Sequence, residues 1–564
     1  MPRIYRSTDP AVAIPQCSLF SLVFNGHFES QLPALIDAPT GFAISRGALR
    51  AYALQLAWSL KNALCLPRGC TVAIISPNSI VWPVVLLGSM AAGLKVTTIN
   101  SDCTPSEIFH QLKDSAPYFI FAHSSTIERI EKTFRLMNVA DLEGKERIIT
   151  LGDLPQDPGV PGYRSIRDLL GLEQLACEER FDQSDCHETA LICYSSGTTS
   201  KPKGVELTHH NISSCIVMVK PRWKHVCPNG TIIGVIPLFH LYGLFALVLG
   251  PLYYGAPVVI VPHFDPESFC AYIQRYRATF VPVVPPILVV FANHPAPEKY
   301  DLTSLKMLTS AAAPLSGELS MAVRARLLKL GADVTINQAW GLTETSPANT
   351  SQSGTEGRLK PSSVGTLLSQ VEARIVLQGT ESDAPEGASG EIWIRGPHVM
   401  KGYLNNPSAT RESITEDGWF KTGDIGIIDK DGSISILDRI KELIKYKGFQ
   451  VPPAELEGIL LTHPLIVDAA VIGIWSDDDA TEYPRAYVVP RNGLKSLTFP
   501  SETDRLAREI EIWIRQKVAR HKYLRGGVVL VDSVPKSASG KLLRRQLRDM
   551  ARQEMKESNM RARL

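Results

Sequence analysis

The sequence predicts a fold that is part α/β and part α+β. A large N-terminal domain of α/β subdomains, closed by a β-barrel-like subdomain, precedes a small C-terminal α+β domain. Three observations predict it. From Gly41 to about residue 437, apolar runs of strand length alternate with longer helical patterns, as in covered, mostly parallel sheets. Over residues 372–437 the runs become short and alternating, as in an antiparallel sheet or barrel. Past residues 438–441, about 125 residues carry their own helices and strands, enough for a separate unit.

In chain order, Thr71-Val72-Ala73-Ile74-Ile75 reads as a buried strand leading into a helix at 81–92. The run at 190–194 is a second buried strand, and 231–236 a third, followed by a helix at 242–254. Alternating segments at 391–395 and 426–429, with the turn Lys430-Asp431-Gly432-Ser433, give the antiparallel part. The small domain is expected as a helix at 453–461, strands at 467–474 and 485–489, a helix at 501–522 and a strand at 528–531. The resulting boundaries are 1–437 for the large domain, with 372–437 its antiparallel part, 438–441 for a hinge, 442–545 for the small domain and 546–564 for a basic tail.

A chain of 564 residues is too long for one core, and a net charge of +2 with 21% charged residues is that of an ordinary globular protein with no call for nucleic acid. The segment from Gly540 holds eight Lys/Arg against three Asp/Glu but no aromatic residue on which a base could stack, so it reads as a solvated helix. All ten cysteines precede residue 271 and none forms Cys-x-x-Cys, which fits reduced thiols in an intracellular protein. Cys193, inside an apolar run, reads as a small buried hydrophobe. The start Met1-Pro2-Arg3-Ile4-Tyr5-Arg6 lacks a secretory signal's apolar core. The stretches 80–93 and 241–261 are interrupted by Pro83, Gly88, Gly250, Pro251, Gly255 and Pro257, so core elements are expected there and no membrane span. Ala562-Arg563-Leu564 has the small–basic–Leu form of a peroxisomal address, which predicts a peroxisomal import receptor as partner and a cytoplasmic location otherwise.

The most informative segment is Tyr194-Ser195-Ser196-Gly197-Thr198-Thr199-Ser200-Lys201-Pro202-Lys203-Gly204. It follows a buried strand, so it should stand at the strand's C-terminal end, where α/β sheets place ligands. Glycines free backbone N–H groups to face an anion, hydroxyls add donors and Lys203 adds charge, which together suit phosphate. It is not a Walker A loop, because six residues separate Gly197 from Gly204 and Lys203 precedes the second glycine.

Five further strings follow it in order: Pro237-Leu238-Phe239-His240-Leu241-Tyr242-Gly243, Gln338-Ala339-Trp340-Gly341-Leu342-Thr343-Glu344-Thr345, Gly418-Trp419-Phe420-Lys421-Thr422-Gly423-Asp424, Asp438-Arg439-Ile440-Lys441 through Gln450, and Pro535-Lys536-Ser537-Ala538-Ser539-Gly540-Lys541. Together they resemble the signature of the adenylate-forming enzymes, and most of all 4-coumarate–CoA ligases and related acyl-CoA ligases, from about residue 40 to about residue 545. The resemblance implies an ATP-dependent ligase that joins a small carboxylic acid to coenzyme A through an acyl-adenylate, with Mg²⁺ required. It implies that Ser195, Ser196, Gly197, Thr198, Thr199 and Lys203 hold the β- and γ-phosphates, that Thr343 contacts the α-phosphate and that Glu344 places Mg²⁺. Trp340 would face adenine, Gln338 would contribute nucleotide contacts, Asp424 would accept the ribose hydroxyls and Arg439 would reach the ribose. Lys541 would serve the adenylating step. The small domain would then swing about Lys441 to present Lys445, Lys447, Gly448 and Gln450 for the CoA step, with Gly448 leaving space for pantetheine. His240 would gate the substrate carboxylate, and Tyr242, Ala246, Ser310, Ala311, Ala312 and Gly341 would wall the acyl pocket. Thr309 replaces a lysine and Tyr253 a CoA-contacting arginine often found in the plant coumarate ligases, so the acid and the CoA grip both stay open. Ala311–Ala313 leave room for an aryl or medium acyl group, and no acid is placed to pair an amino acid's ammonium.

Three alternatives share these motifs: a luciferase-like oxygenase, an enzyme loading a separate carrier protein, and a catalytically dead binder. The joint presence of Lys541, Glu344, Thr198 and Asp424 weighs against the last. No carrier domain is expected in the roughly twenty residues past Lys541, and the sequence assigns no oligomeric state.

Overall fold

The computed structural model describes residues 2–26, 28–195, 202–223, 230–447, 449–476, 479, 481–494, 499–537 and 540–561. Two large sheets carry most of the chain. In the eight-stranded sheet, Lys95–Ile99, Thr71–Ile75, Phe119–His123, Ile148–Leu151 and Arg164–Ser165 run parallel, and Thr189–Ser195 joins Lys95–Ile99 in parallel. Lys203–Thr208 returns antiparallel to Thr189–Ser195, and Gly402–Tyr403 adds the edge. The nine-stranded sheet has a parallel centre of Thr335–Trp340, Met307–Ser310, Phe280–Val283, Ile232–Gly234, Val258–Ile260 and Pro33–Asp37. Thr71–Ile75 is buried along its whole length, which is why its sequence is apolar throughout and does not alternate.

The apolar stretch at 81–92 is the helix Trp82–Ala91, every residue of which is buried. Among the described residues no helix is long and apolar enough to cross a membrane. The helix expected at 242–254 is three pieces: Leu241–Leu244, a wide π-turn Phe245–Leu249, and Gly250–Tyr254. Its start lies so close to the preceding turn that a Cβ on Gly243 would stand 2.1 Å from the Pro237 carbonyl oxygen. The nine described cysteines are free thiols. Burial pushes the Cys193 thiol up to about 11, so it stays protonated and inert.

Residues 372–437 supply most of a five-stranded antiparallel sheet in the order Tyr5–Arg6, Glu372–Val376, Gly390–Arg395, Phe420–Ile428, Ile434–Arg439. The N-terminal strand was not legible in the sequence, since two residues carry no periodicity.

Beyond Arg439 comes the hairpin Ile444–Tyr446/Phe449–Val451 and then a three-stranded sheet. In that sheet Ile466–Ser476 pairs antiparallel with Thr481–Pro490, which pairs in parallel with Val528–Leu530. One face packs Leu456, Leu460, Val471, Val488, Ile510 and Ile514; the other packs Tyr487, Leu547 and Ala551. The helix expected to reach residue 522 ends at Arg515, and the chain turns so that Leu524 enters the core. The basic segment is the helix Arg544–Arg561, and its first turns close the sheet's second face. It is therefore partly structural and not only a solvated tail.

Candidate active site

Strand ends and turns from both large sheets, the antiparallel sheet and the C-terminal segment converge on one cavity of about 660 Å³. Ser195, Lys203, His240, Tyr242, Ala311, Ala312, Trp340, Gly341, Thr343, Glu344, Arg439, Lys441 and Lys541 all line it. Ser196, Gly197, Thr198 and Thr199 lie outside the described residues, as does Gly448.

The phosphate loop's base is tied to the helix Pro105–Ser115. Tyr194 donates its hydroxyl toward Asp114 Oδ2 at 3.0 Å and the Gln111 carbonyl at 3.1 Å, and His110 Nε2 meets the Pro202 carbonyl at 2.9 Å. On the returning strand, Lys203 Nζ sits 4.7 Å from the centre of the Tyr403 ring, whose hydroxyl donates to Glu344 Oε1 at 3.1 Å. One phenol thus fixes both a cation and a carboxylate on the same wall. Sequence inspection missed Tyr403, because an aromatic residue beside Gly402 is too common a signal. The backbone carbonyl of Glu344 accepts from Met400 N at 2.9 Å, which docks the Thr343–Thr345 turn. The cavity carboxylate of Glu344 is a hard oxygen donor that suits Mg²⁺, a cation that takes one or two carboxylates and fills its remaining sites with phosphate oxygens and water.

Trp340 donates Nε1–H to Asp424 Oδ2 at 2.8 Å, and Arg439 Nε donates to Asp424 Oδ1 at 3.0 Å. Asp424 is buried behind these partners, so its carboxylate is oriented by two donors, one of them a guanidinium. Gln338 does not reach the cavity. Its amide donates to the Leu315 and Pro361 carbonyls at 3.2 and 2.6 Å, which fixes the side chain beside the cavity-lining Ala339.

Asn78 clamps the 237–240 turn by donating to the Val235 and Ile236 carbonyls and accepting from Leu238 N. His240 caps the next helix, its Nδ1 accepting from Tyr242 N at 3.2 Å. Burial, assisted by the Lys541 charge, pushes its pKa down to about 4, so the ring is neutral and carries its proton on Nε2. Tyr242 gives its hydroxyl to the Thr309 carbonyl at 2.8 Å, leaving only its ring as wall. Ala246 and Ser310 are buried away from the cavity: the π-turn gives Phe245 the lining position, and Ser310 faces the interior. Val219, Trp223, Leu241, Phe245, Pro347 and Ala348 complete an apolar end that the sequence did not single out. Gly341 is required for close approach, since a Cβ there would lie 1.8 Å from the Pro347 carbonyl oxygen.

Lys541 enters from a tight turn in which its N–H donates to Ser537 Oγ at 3.1 Å and Gly540 N–H to the Ser537 carbonyl at 2.8 Å. Gly540, with φ of +76°, passes close to Val284 and Pro286 of the large sheet region. Burial and the neighbouring Arg439 push the Lys541 ammonium down to about 8, against the opposing pull of Glu442, Asp424 and Glu344. Lys445, Lys447 and Gln450 do not line the cavity. They belong to the following hairpin and its turn, where Lys447 pairs with Asp479 at 3.2 Å and Gln450 donates to Gln378 Oε1 at 2.5 Å.

Residues 27–404 match the AMP-binding enzyme family and residues 455–541 match the AMP-binding enzyme C-terminal domain. The chain is 35% identical over 552 residues to 4-coumarate–CoA ligase-like 4 of Oryza sativa subsp. japonica, covering 97% of this chain and 95% of that one. It is 36% identical over 518 residues to peroxisomal OPC-8:0-CoA ligase 1 of Arabidopsis thaliana, covering 91% and 90%. Among solved structures, ATP-bound MatB from Rhodopseudomonas palustris matches with a TM-score of 0.81 at 27% identity, over 94% of this chain and 98% of that one.

Proposed function

This chain belongs to the AMP-binding enzyme family, among its ATP-dependent acyl-CoA ligases, and from that premise we propose that it activates an apolar carboxylic acid in two steps. The acid and ATP give an acyl-adenylate and pyrophosphate; coenzyme A then takes the acyl group and AMP leaves. The observation that carries the proposal is the entry of Lys541 into the cavity that Lys203, His240, Thr343 and Glu344 also line.

A carboxylate has no leaving group, so thioester formation needs prior transfer of a nucleotidyl group to its oxygen. That transition state concentrates negative charge at the α-phosphate, and fixed donors aimed there lower the barrier. Lys541 and Thr343 supply donors at that position, while Ser195, Lys203 and the loop residues Ser196, Gly197, Thr198 and Thr199 hold the leaving pyrophosphate. Trp340 offers an aromatic face to adenine, and Asp424 with Arg439 receives the ribose. His240 offers a neutral Nε2–H to the acid's carboxylate, binding it without pairing away the charge that must attack. Mg²⁺ held near Glu344 supplies neutralisation of the triphosphate. For the second step, rotation about Lys441 withdraws Lys541, exchanges the Gln450–Gln378 contact and brings Lys445, Lys447, Gly448 and Gln450 to the CoA path.

The apolar end formed by Val219, Trp223, Phe245, Pro347 and Ala348 supports an aryl or medium-length acyl group without an ammonium or second carboxylate. A pyrophosphate-release screen over aryl, branched, fatty, dicarboxylic and amino acids, with and without CoA, tests this. Apolar acids should be turned over; turnover confined to dicarboxylic or amino acids would overturn the assignment.

The depressed Lys541 pKa predicts a pH limb with a definite sign. The ammonium is present below about pH 8 and lost above it, so kcat/KM for adenylation should fall as pH rises through that value. Lys541→Arg, which stays charged, should keep residual activity and abolish the limb. We also propose a peroxisomal location from Ala562-Arg563-Leu564, which lies outside the described residues. An N-terminal fluorescent fusion ending at Leu564 should enter peroxisomes and its three-residue truncation should stay diffuse; diffuse signal from both would refute it.

A further inference from the structure

The hairpin Thr189–Ser195/Lys203–Thr208 has one end in the cavity and the other about 20 Å away, at the distance seven strand residues span. At that far end, the 3₁₀ turn Gln183–His187 meets the first turn of the helix His209–Trp223. The meeting brings together Cys186, His187 and His210, whose ligand atoms, the sulfur and one ring nitrogen from each histidine, lie within 4.8 Å of one another. Among the described residues no other group of three such side chains is this close.

Two observations point to a ligand. His210 Nδ1 is buried without a hydrogen-bond partner, a state that native interiors rarely leave uncompensated. The two imidazoles also lie against each other, ring centroids 4.7 Å apart and tilted by 50°, beside the buried Cys186 sulfur. The adjacent acids are committed elsewhere: Asp185 and Glu188 pair with Arg68 at 3.0 and 2.5 Å. His209 is committed too, its Nδ1 accepting from Leu19 N at 3.1 Å and its ring stacked on Phe181.

We propose that Cys186, His187 and His210 bind a borderline-soft divalent cation, Zn²⁺ foremost, that clips the open end of the hairpin carrying the phosphate loop. One thiolate and two imidazoles suit such a cation, whereas hard cations prefer oxygen donors, and no carboxylate belongs to this group: Asp182, the other acid beside Cys186, lies toward Arg180 at 3.6 Å. Tetrahedral bonds of about 2.1 Å to nitrogen and about 2.3 Å to sulfur put donors about 3.5 Å apart, so small side-chain rotations close the site. Binding replaces the Cys186 S–H bond by a metal–sulfur bond, and the proton leaves to solvent. Water takes the fourth position on the exposed His187 side. The clip joins the residue three before the first strand to the residue two after the second, and so holds the register of the hairpin.

The test uses the full, tag-free, reduced chain, stripped with chelator and titrated with Co²⁺ and then Zn²⁺. One equivalent of Co²⁺ should give a thiolate-to-cobalt charge-transfer band that Zn²⁺ displaces. Cys186→Ser should lose the band, and His187→Gln, at an exposed position, and His210→Ala should each weaken binding by at least about 100-fold. Zn²⁺ should raise the melting temperature of the parent chain and not of Cys186→Ser. No band, a band that survives Cys186→Ser, or several weak equivalents would overturn the proposal.

Discussion

Replacing Lys541 with alanine is expected to lower adenylate formation by at least about 100-fold, while thioester formation from supplied acyl-adenylate stays within about threefold of the parent rate. The asymmetry follows from where the charge acts. Lys541 is half-buried in the cavity beside Arg439, Asp424 and Glu344, and a donor aimed at a developing phosphoryl charge in such a site contributes roughly 3 kcal/mol. The CoA step breaks a carbon–oxygen bond and makes no new demand at phosphorus. Pyrophosphate exchange measures the first step and release of AMP from synthetic acyl-adenylate with CoA measures the second. Equal losses in both would show that Lys541 holds the fold or the nucleotide, not the transition state.

Arg544→Met should destabilise the small C-terminal unit by about 3–5 kcal/mol. Arg544 lies in the interior and bridges Glu442 at 3.0 Å and Glu457 at 2.7 Å, the former just past Lys441 and the latter on the helix Pro453–Leu460. Removing the guanidinium leaves two buried carboxylates without their cation. Burial already raises Glu457 to about 7 despite that cation, so in the variant it will hold its proton to higher pH still. The sign of the pH dependence follows. The unfolded chain releases this proton near pH 4.5 and the folded one only later, so the deficit is small at low pH and grows as pH rises toward the folded value. Amide exchange in Ile466–Ser476 and Thr481–Pro490 should accelerate by at least about 100-fold near pH 8 and by much less near pH 5.5. Unchanged protection at both values would contradict the account.

Much of the architecture was legible because buried parallel strands must be apolar and short. Thr71–Ile75 and Thr189–Ser195 stand where their sequences placed them. Tyr5–Arg6 was not legible, because its partner Glu372–Val376 is some 370 residues away and pairing, not periodicity, makes it a strand. The breaking of 242–254 was hidden for a related reason: a π-turn leaves the hydrophobic pattern intact and shifts only which side chain faces the cavity, so Phe245 and not Ala246 is the wall. At the site, the ordered strings located the cavity walls. Residues whose work is to hold other residues were invisible in them. Asn78, Tyr403 and Arg544 act through contacts between distant segments. Gln338 shows the reverse: it lies within a motif string, but its donors are consumed by the Leu315 and Pro361 carbonyls.

The central claim is that an acyl-adenylate is made in the cavity entered by Lys541. The most direct measurement follows carboxylate oxygen. The acid selected by the pyrophosphate screen is labelled with ¹⁸O in both carboxyl positions and turned over with ATP and CoA. AMP is then isolated and weighed by mass spectrometry. One labelled oxygen in the AMP phosphoryl group, matched mole for mole by pyrophosphate and acyl-CoA, is the predicted result. Unlabelled AMP, or label recovered in inorganic phosphate with ADP as the nucleotide product, would contradict it.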